Sequence, residues 1–562
     1  MMDIDEIEKS RLQTQIQLDF KKTRLERNRA GQFATPTALA LDMLNYAKLL
    51  LSPEIAIQFL DPAIGTGVFI AALYRSFLQR QITKIVGFEI DPLFANAASN
   101  LWGNTSLQIN SADFTKAEPP NNKDDRFNLV VCNPPYVRHH HLQKEEKHRL
   151  RKAAEEASGI RVSEQSGLYC HFLWLSHQWL AENGLAGWLI PSEFMNTNYG
   201  QQVRDYLLSR VTLLRVHCFM PTDVQFSDAL VSSSIIWFKK SLPSGNQAID
   251  FSYGGTLAKP ELIKTVSPDL LRQVRKWNLL SIIGSAQTPT KQKSDPTLIT
   301  PPTAEKSLSA PAGNLQPETH IKGYKLADLF DIKRGLATGA NDFFILNHKQ
   351  VVEHQIPEEF LRPVLPSSRY ILADEVEADD KGNPILENPL FLLVCDLPEN
   401  EIKNNYPFLW EYLQLGVKRE INKTYLCSHR TPWYSQEKRS VPLFVYSYMG
   451  RQKSANSSPY RFLLNHSKAV ATNSYHVLYP KKSLQSAIIG DAGVLHKLWE
   501  KLQNLATENL LIEGRTYGGG LHKMEPGELA NVLIEDLPEV LLRTIHGPHS
   551  AQNLWQIPST PR

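Results

Sequence analysis

The sequence predicts an α/β protein: a doubly wound, mostly parallel, seven-stranded sheet followed by a mixed α+β region. Three observations predict it. Short apolar runs alternate with helical stretches from about Ile55 to Phe238, as they do where helices wrap a parallel sheet. A glycine turn, Gly65-Thr66-Gly67, follows the first run, where doubly wound sheets open a ligand-binding crevice. From about Ser285 to Thr319 the composition changes to Pro, Ser, Thr, Gln and Lys. Such a stretch buries too little apolar surface to order itself and reads as a linker.

At 562 residues the chain exceeds what one core supports. Its five cysteines, Cys132, Cys170, Cys218, Cys395 and Cys427, are scattered and never spaced as a metal knuckle, so neither a disulfide framework nor structural zinc is expected. The N-terminus lacks the basic and apolar regions of a secretion signal, and no apolar run approaches membrane-spanning length. The expected location is the cytoplasm, with no membrane partner and a monomeric state.

Residues 1–30 are rich in charge and read as a solvated helix. Thr35-Pro36 opens the next helix, with proline expected in its first turn and Ala40, Leu41, Met43, Leu44 and Ala47 on its apolar side. Strands are expected at Ile55–Leu60, Lys84–Glu89, Leu107–Asn110, Phe127–Cys132, Leu185–Ile190, Leu213–Phe219 and Ser233–Phe238. A loop joins the last two, so they are predicted to form an antiparallel hairpin at one sheet edge.

The tips of the first three strands carry acids. The first continues as Asp61-Pro62-Ala63-Ile64-Gly65-Thr66-Gly67. An acid there suits an ammonium, held directly or through water, better than a pyrophosphate, which favours a methionine-like ligand. Glu89 ends the second strand, where a carboxylate meets ribose hydroxyls, while Asp91 is expected to cap the next helix, with Pro92 in its first turn. Asp113 and Phe114 follow the third and suit an adenine amine and ring; a plain turn aspartate is the competing explanation.

The fourth strand ends in Asn133-Pro134-Pro135-Tyr136. A nucleobase amine or a side-chain amide is a poor nucleophile, because its lone pair is delocalised. The Asn133 side-chain carbonyl and the Pro134 main-chain carbonyl can each accept one N–H, drawing that nitrogen toward tetrahedral geometry as it attacks a methyl group. Tyr136 offers a stacking face. Base and amide substrates both satisfy this chemistry. Cys132 beside the motif is expected to be buried and structural.

In this order the motifs resemble the gamma class of amino-methylating DNA methyltransferases, the group of the TaqI methylase. The likeness is strong over about residues 28–240. It implies a class I S-adenosylmethionine-dependent methyltransferase fold and transfer of methyl from S-adenosylmethionine to adenine N6. It also implies that Gln32-Phe33-Ala34-Thr35-Pro36 contacts the methionine part of the cofactor and that Phe226, twelve residues before Phe238, helps Tyr136 sandwich a base flipped out of the duplex. The cofactor set is then Thr35, Pro36, Asp61, Pro62, Ala63, Gly65, Gly67, Glu89, Asp113, Phe114 and Asn133. DNA cytosine N4 and protein glutamine methylation are the alternatives.

The predicted organisation is a charged helix over 1–30, a catalytic domain over 31–284, a linker over 285–319 and a DNA target-recognition domain over 320–562. Residues 418–482 hold twelve Lys and Arg against Glu420 and Glu437, a net +10, interleaved with Tyr425, Trp433, Tyr434, Tyr446, Tyr448 and Tyr460. This reads as a phosphate-binding surface with aromatic character. Candidate DNA contacts are Arg138, Arg334, Arg430, Lys438, Arg439, Arg451, Lys453, His522 and Lys523. The consecutive His139, His140 and His141 are not expected to hold a metal, because neighbours in a loop rarely converge on one ion. With only about thirty residues before the catalytic fold, the expected partners are duplex DNA and a separate restriction endonuclease.

Overall fold

The computed structural model describes residues 3–220, 223, 225, 226, 232–245, 247–274, 276, 277, 323–451, 458–505, 507–517, 521–535, 537, 539, 541 and 542. The expected linker (285–319), Lys453 and Gly518–Gly520 lie outside them. The chain divides into two compact units, residues 1–290 with 516–520, and residues 291–515 with 521–562. No helix among the described residues is long and apolar enough to cross a membrane.

The first unit is built on one nine-stranded sheet. Its strands are β1 (Ile57–Asp61), β2 (Ile82–Phe88), β3 (Leu107–Asn110), β4 (Phe127–Cys132), β5 (Leu180–Pro191), β6 (Thr212–Cys218), β7 (Ser233–Lys239), β8 (Ile249–Tyr253) and β9 (Leu262–Val266), in the spatial order 3-2-1-4-5-7-6-8-9. β3, β2, β1, β4 and β5 pair in parallel, and β7 runs antiparallel between β5 and β6. The doubly wound seven-stranded arrangement is therefore present, extended by two strands. The β6–β7 hairpin sits inside the sheet rather than at its edge, because Arg215–Cys218 of β6 pairs in parallel with Asp250–Tyr253. That pairing leaves β9 as the outer strand.

Helices cover both faces. They include α1 (Ile4–Phe20), α2 (Arg24–Ala30), α3 (Thr37–Leu50), α4 (Val68–Ser76), α5 (Pro92–Trp102), α6 (Lys144–Ser158), α7 (Leu168–Leu175) and α8 (Gly200–Ser209). The central strands read as unbroken apolar runs, since both of their faces are covered: Leu129, Val130, Val131 and Cys132 of β4 are fully buried. Pro36 takes the N-cap position of α3, one residue before the expected first turn, with φ −60° and ψ 138°. Asp91 caps α5 by accepting from the Leu93 N–H at 3.0 Å, with Pro92 as the first helical residue.

The first thirty residues differ most from expectation. They form two helices, and α1 is not simply solvated, because Glu8, Arg11 and Leu18 are buried.

The second unit holds mixed and antiparallel sheets. Five strands, Phe330–Arg334, Tyr475–Pro480, Phe444–Ser447, Phe462–Asn465 and Glu375–Val376, form one sheet, and four around Leu390–Leu393 form another. The five-stranded sheet packs Phe330, Phe444, Tyr446 and Phe462 into a core with Leu498 and Trp499.

Candidate active site

A cavity opens at the C-terminal ends of β1, β2, β3 and β4, the position expected of ligand sites in doubly wound sheets. Thr35, Pro62, Ala63, Gly65, Glu89, Asp113, Phe114, Asn133 and Pro135 all line it. The structure thus brings together residues from four strand tips and from the segment before α3.

The glycine turn is shaped by close packing. Gly67 has φ +89°, and a Cβ there would lie 2.3 Å from Trp102 Nε1, which donates to the Thr66 carbonyl at 3.0 Å. Gly67 therefore faces the protein, while Gly65 (φ +56°) has open space beside it. Asp61 also lies beneath the turn. It is fully buried, accepts from the Ala63 N–H at 3.1 Å and does not line the cavity, so a direct ammonium contact is not available to it. Burial, with the nearby Glu89 charge adding to it, pushes the Asp61 carboxyl up to about 7. The same burial, with Asp61 beside it, raises the Cys132 thiol and keeps it neutral. Pro36, Gly67, Pro134 and Tyr136 are likewise outside the cavity lining.

Glu89 accepts from the Gly65 N–H at 3.0 Å and the Asp91 N–H at 2.9 Å, which locks the second strand tip to the glycine turn. Burial raises its carboxyl, and these two N–H donors oppose the shift. Asp113 accepts from the Thr115 N–H and hydroxyl at 2.9 and 2.7 Å. Phe114 packs against Phe88, Phe172 and Trp179 at centroid distances of 5.3–5.4 Å, and Phe88 and Phe172 line the cavity with it.

Four carboxylates, Asp19, Glu89, Asp113 and Glu146, line the cavity against one guanidinium, Arg11. Arg11 is itself paired with Glu8 at 2.6 Å. A negatively biased pocket fits a cationic sulfonium and its ammonium, and opposes a pyrophosphate.

At the tip of β4, Asn133 Nδ2 donates to the Phe33 carbonyl and to Thr35 Oγ1, both at 3.0 Å. Phe33 O can only accept, so the network itself orients the amide. Asn133 Oδ1 is buried with no hydrogen-bond partner. A buried lone acceptor is costly, and it marks a place where a donor is expected to arrive.

Tyr136 donates from its hydroxyl to the Leu189 carbonyl at 3.0 Å. Its ring meets Phe226 edge-to-face at 5.9 Å and 84°, and both rings touch Phe33, at 5.5 and 5.6 Å. The three rings pack on one another, tilted or edge-to-face rather than parallel. The resemblance names Phe33 only within the segment 32–36, and no local pattern in the sequence marks Phe172 as a contributor. Gly31 carries no such mark either: its φ is +64°, a Cβ would sit 2.3 Å from Tyr136 N, and its carbonyl accepts from the Tyr136 N–H at 3.1 Å.

Arg138 is exposed just beyond the motif, and the His140 ring meets His139 edge-to-face at 5.4 Å and His141 tilted at 4.3 Å.

In the second unit the basic segment sorts into two kinds of residue. Arg430 donates to the Ala337 and Thr338 carbonyls at 2.7 and 2.8 Å, and Arg461 pairs with Asp374 at 2.6 Å and bonds to four carbonyls. These two act as braces. Arg439 pairs with Glu437 and bonds to the Arg334 carbonyl. Lys438, with 81% of its side chain exposed, pairs with Asp396. Arg451 is exposed, His522 is buried, and Arg334 and Lys523 both lie over the Tyr448 ring, at 4.6 and 5.1 Å. Tyr434, Tyr446, Tyr448 and Tyr460 are core residues rather than surface aromatics, whereas Tyr425 is 77% exposed.

Residues 44–225 match the family described as Eco57I restriction-modification methylase, and residues 314–552 match the C-terminal domain of the type II methyltransferase M.Eco57I. The chain is 28% identical over 536 residues to the type II methyltransferase M.AccI of Acinetobacter calcoaceticus, covering 93% of this chain and 88% of that protein. It is 27% identical over 525 residues to M.XamI of Xanthomonas campestris pv. amaranthicola, covering 91% and 86%. Among solved structures, the type IIL restriction-modification enzyme MmeI in complex with DNA superposes with a TM-score of 0.51 at 11% identity, covering 84% of this chain and 66% of that one, which speaks to fold alone. The strand order and this likeness make the first unit a class I methyltransferase fold. With both matched segments present in order, the chain carries the domains of the Eco57I-type restriction-modification methylases.

Proposed function

We propose that the protein is a site-specific DNA methyltransferase that uses S-adenosylmethionine to methylate N6 of an adenine flipped out of duplex DNA. The observation that carries this reading is the Asn133 amide, whose two hydrogens are committed to Phe33 and Thr35 while Oδ1 is buried and unpaired. An unpaired acceptor there supports a role in taking an N–H from an exocyclic amine, and we assign the other N–H to the Pro134 carbonyl, as the motif suggests. When bound, the cofactor supplies an electrophilic methyl group. Its ribose is assigned to Glu89, its adenine to Asp113 and Phe114, and its methionine end to the segment around Thr35 and the glycine turn. Catalysis then consists of positioning and hydrogen-bond polarisation, and Cys132, neutral and buried, takes no part as a nucleophile.

The target base is assigned to the space now filled by Tyr136, Phe226 and Phe33. Base stacking replaces ring–ring contacts there, offsetting part of an unstacking cost of a few kcal/mol. We assign catalysis to residues 31–284 and target recognition to 320–562. The biological role we infer is protection of DNA from a separate restriction endonuclease, in keeping with the restriction-modification methylase domains that the chain carries.

The test is transfer of labelled methyl from S-adenosylmethionine to genomic DNA, followed by nucleoside separation. N6-methyl-2′-deoxyadenosine is expected. Label in N4-methyl-2′-deoxycytidine, or in the protein fraction of a lysate instead of in DNA, overturns the adenine assignment. Single-molecule sequencing of DNA from an expressing host then gives the site.

A further inference from the structure

The helix before the first cofactor motif makes contacts that its charged sequence does not suggest. Glu8 and Arg11 are both 2% exposed, and their side chains form a two-pronged ion pair at 2.6 and 2.7 Å. A buried ion pair costs desolvation unless further hydrogen bonds complete it, and here they do. Arg11 Nη1 donates to Thr66 Oγ1 at 3.0 Å, and the Thr66 hydroxyl donates to Gln15 Oε1 at 2.8 Å. Thr37, the first residue of α3, donates to Glu8 at 2.6 Å and accepts from Arg11 Nη2 at 3.2 Å. Just past the end of α1, Lys22 pairs with Asp91 and donates to Gln32 Oε1 at 2.8 Å.

Those partners belong to three separate cofactor-binding elements: the glycine turn, the segment around Thr35, and the second strand tip. The Gly65–Glu89 hydrogen bond fixes the glycine turn to the second strand tip, whereas no strand pairing among the described residues fixes either to the segment around Thr35. Arg11, Gln15 and Asp19 also line the cavity directly.

We propose that α1 is a working wall of the cofactor site, with Arg11 as a positioning residue that holds the glycine turn and the Thr35 segment at the spacing the methyl donor requires. This rests on the assignment of the cavity to S-adenosylmethionine. The buried Glu8 balances the Arg11 charge, so the guanidinium contributes hydrogen bonds to the turn without repelling a cationic ligand.

The test is calorimetric titration of the full-length protein with S-adenosylmethionine and with S-adenosylhomocysteine, together with duplex-DNA affinity and melting of the ligand-free protein. Arg11→Ala is expected to weaken cofactor binding by on the order of tenfold or more, with DNA affinity unchanged. Arg11→Lys, which keeps the charge but loses the fork, is expected to recover part of the loss. Thr66→Val leaves the ion pair intact and provides a folded variant if Arg11→Ala does not fold; it is expected to weaken cofactor binding in the same direction. Wild-type cofactor affinity in Thr66→Val, or in folded Arg11→Ala, overturns the proposal even if melting falls, because a purely structural pair affects stability and not affinity. Absence of binding by the wild-type protein overturns the cavity assignment and this inference with it.

Discussion

Asn133 and Thr35 stand 98 positions apart in the chain and are joined by a 3.0 Å hydrogen bond from Asn133 Nδ2 to Thr35 Oγ1. With the Phe33 carbonyl taking the second amide hydrogen, the side chain is held with Oδ1 forward. The segment expected to touch the cofactor thus also orients the residue expected to polarise the amine.

Thr35→Val therefore should lower turnover on the order of tenfold, because the Asn133 amide regains rotational freedom, while duplex affinity stays unchanged. Asn133→Ala removes the acceptor and should reduce turnover by roughly 10²-fold or more, with cofactor binding largely retained. Single-turnover rates and calorimetry check both variants. Full activity in Asn133→Ala would remove it from the mechanism.

The packing of Phe226 against Tyr136 and Phe33 gives a second expectation. Phe226→Ala should lower kcat/KM on a matched duplex by about tenfold, and by less on a duplex whose target adenine is mispaired, since a mispaired base costs less to extrude. Fluorescence of 2-aminopurine at the target position reports extrusion. Equal losses on the two duplexes would exclude a stacking role.

Asp61 links stability to pH. Its folded-state pKa of about 7 lies above the ordinary value of 3.8. Between those values the folded protein holds a proton that the unfolded chain has released, so stability from this group is full below about pH 4 and is lost as pH rises to 7. Asp61→Asn should flatten this decline relative to wild type. Urea midpoints of both proteins across pH 4–8, without cofactor, measure the difference; parallel curves count against a buried, protonated Asp61.

The basic segment should respond in two ways. Arg461→Gln is expected to lower melting temperature, because Asp374 and four carbonyls lose their donor. Lys438→Gln and Arg451→Gln are expected to leave stability unchanged and to flatten the salt dependence of DNA binding, by about 0.9 in slope for each phosphate no longer neutralised. Unchanged salt slopes in both would remove these side chains from the DNA surface.

Gly31→Ala introduces a Cβ 2.3 Å from Tyr136 N at a φ of +64°. The backbones must separate at the active motif, so activity should fall steeply, with a stability loss of about 1–3 kcal/mol. Wild-type activity with unchanged melting would show that this close approach is dispensable.

The sequence by itself determined the parallel sheet, the four strand tips that meet at the cavity and the chemistry that Asn133-Pro134-Pro135-Tyr136 is expected to support. These are local properties: apolar runs of strand length, glycines where the turn needs positive φ, and acids or amides at strand ends. Tertiary structure alone decided what depends on distant partners. It put Asp61 beneath the turn instead of in the cavity, and buried Tyr434, Tyr446 and Tyr460 in the second unit's core. It assigned Arg430 and Arg461 to carbonyls rather than to a surface, closed Tyr136 against Phe226, and placed α1 against the glycine turn. A charge or an aromatic ring reads the same in sequence whether it faces solvent or a backbone carbonyl, because burial depends on residues far away in the chain.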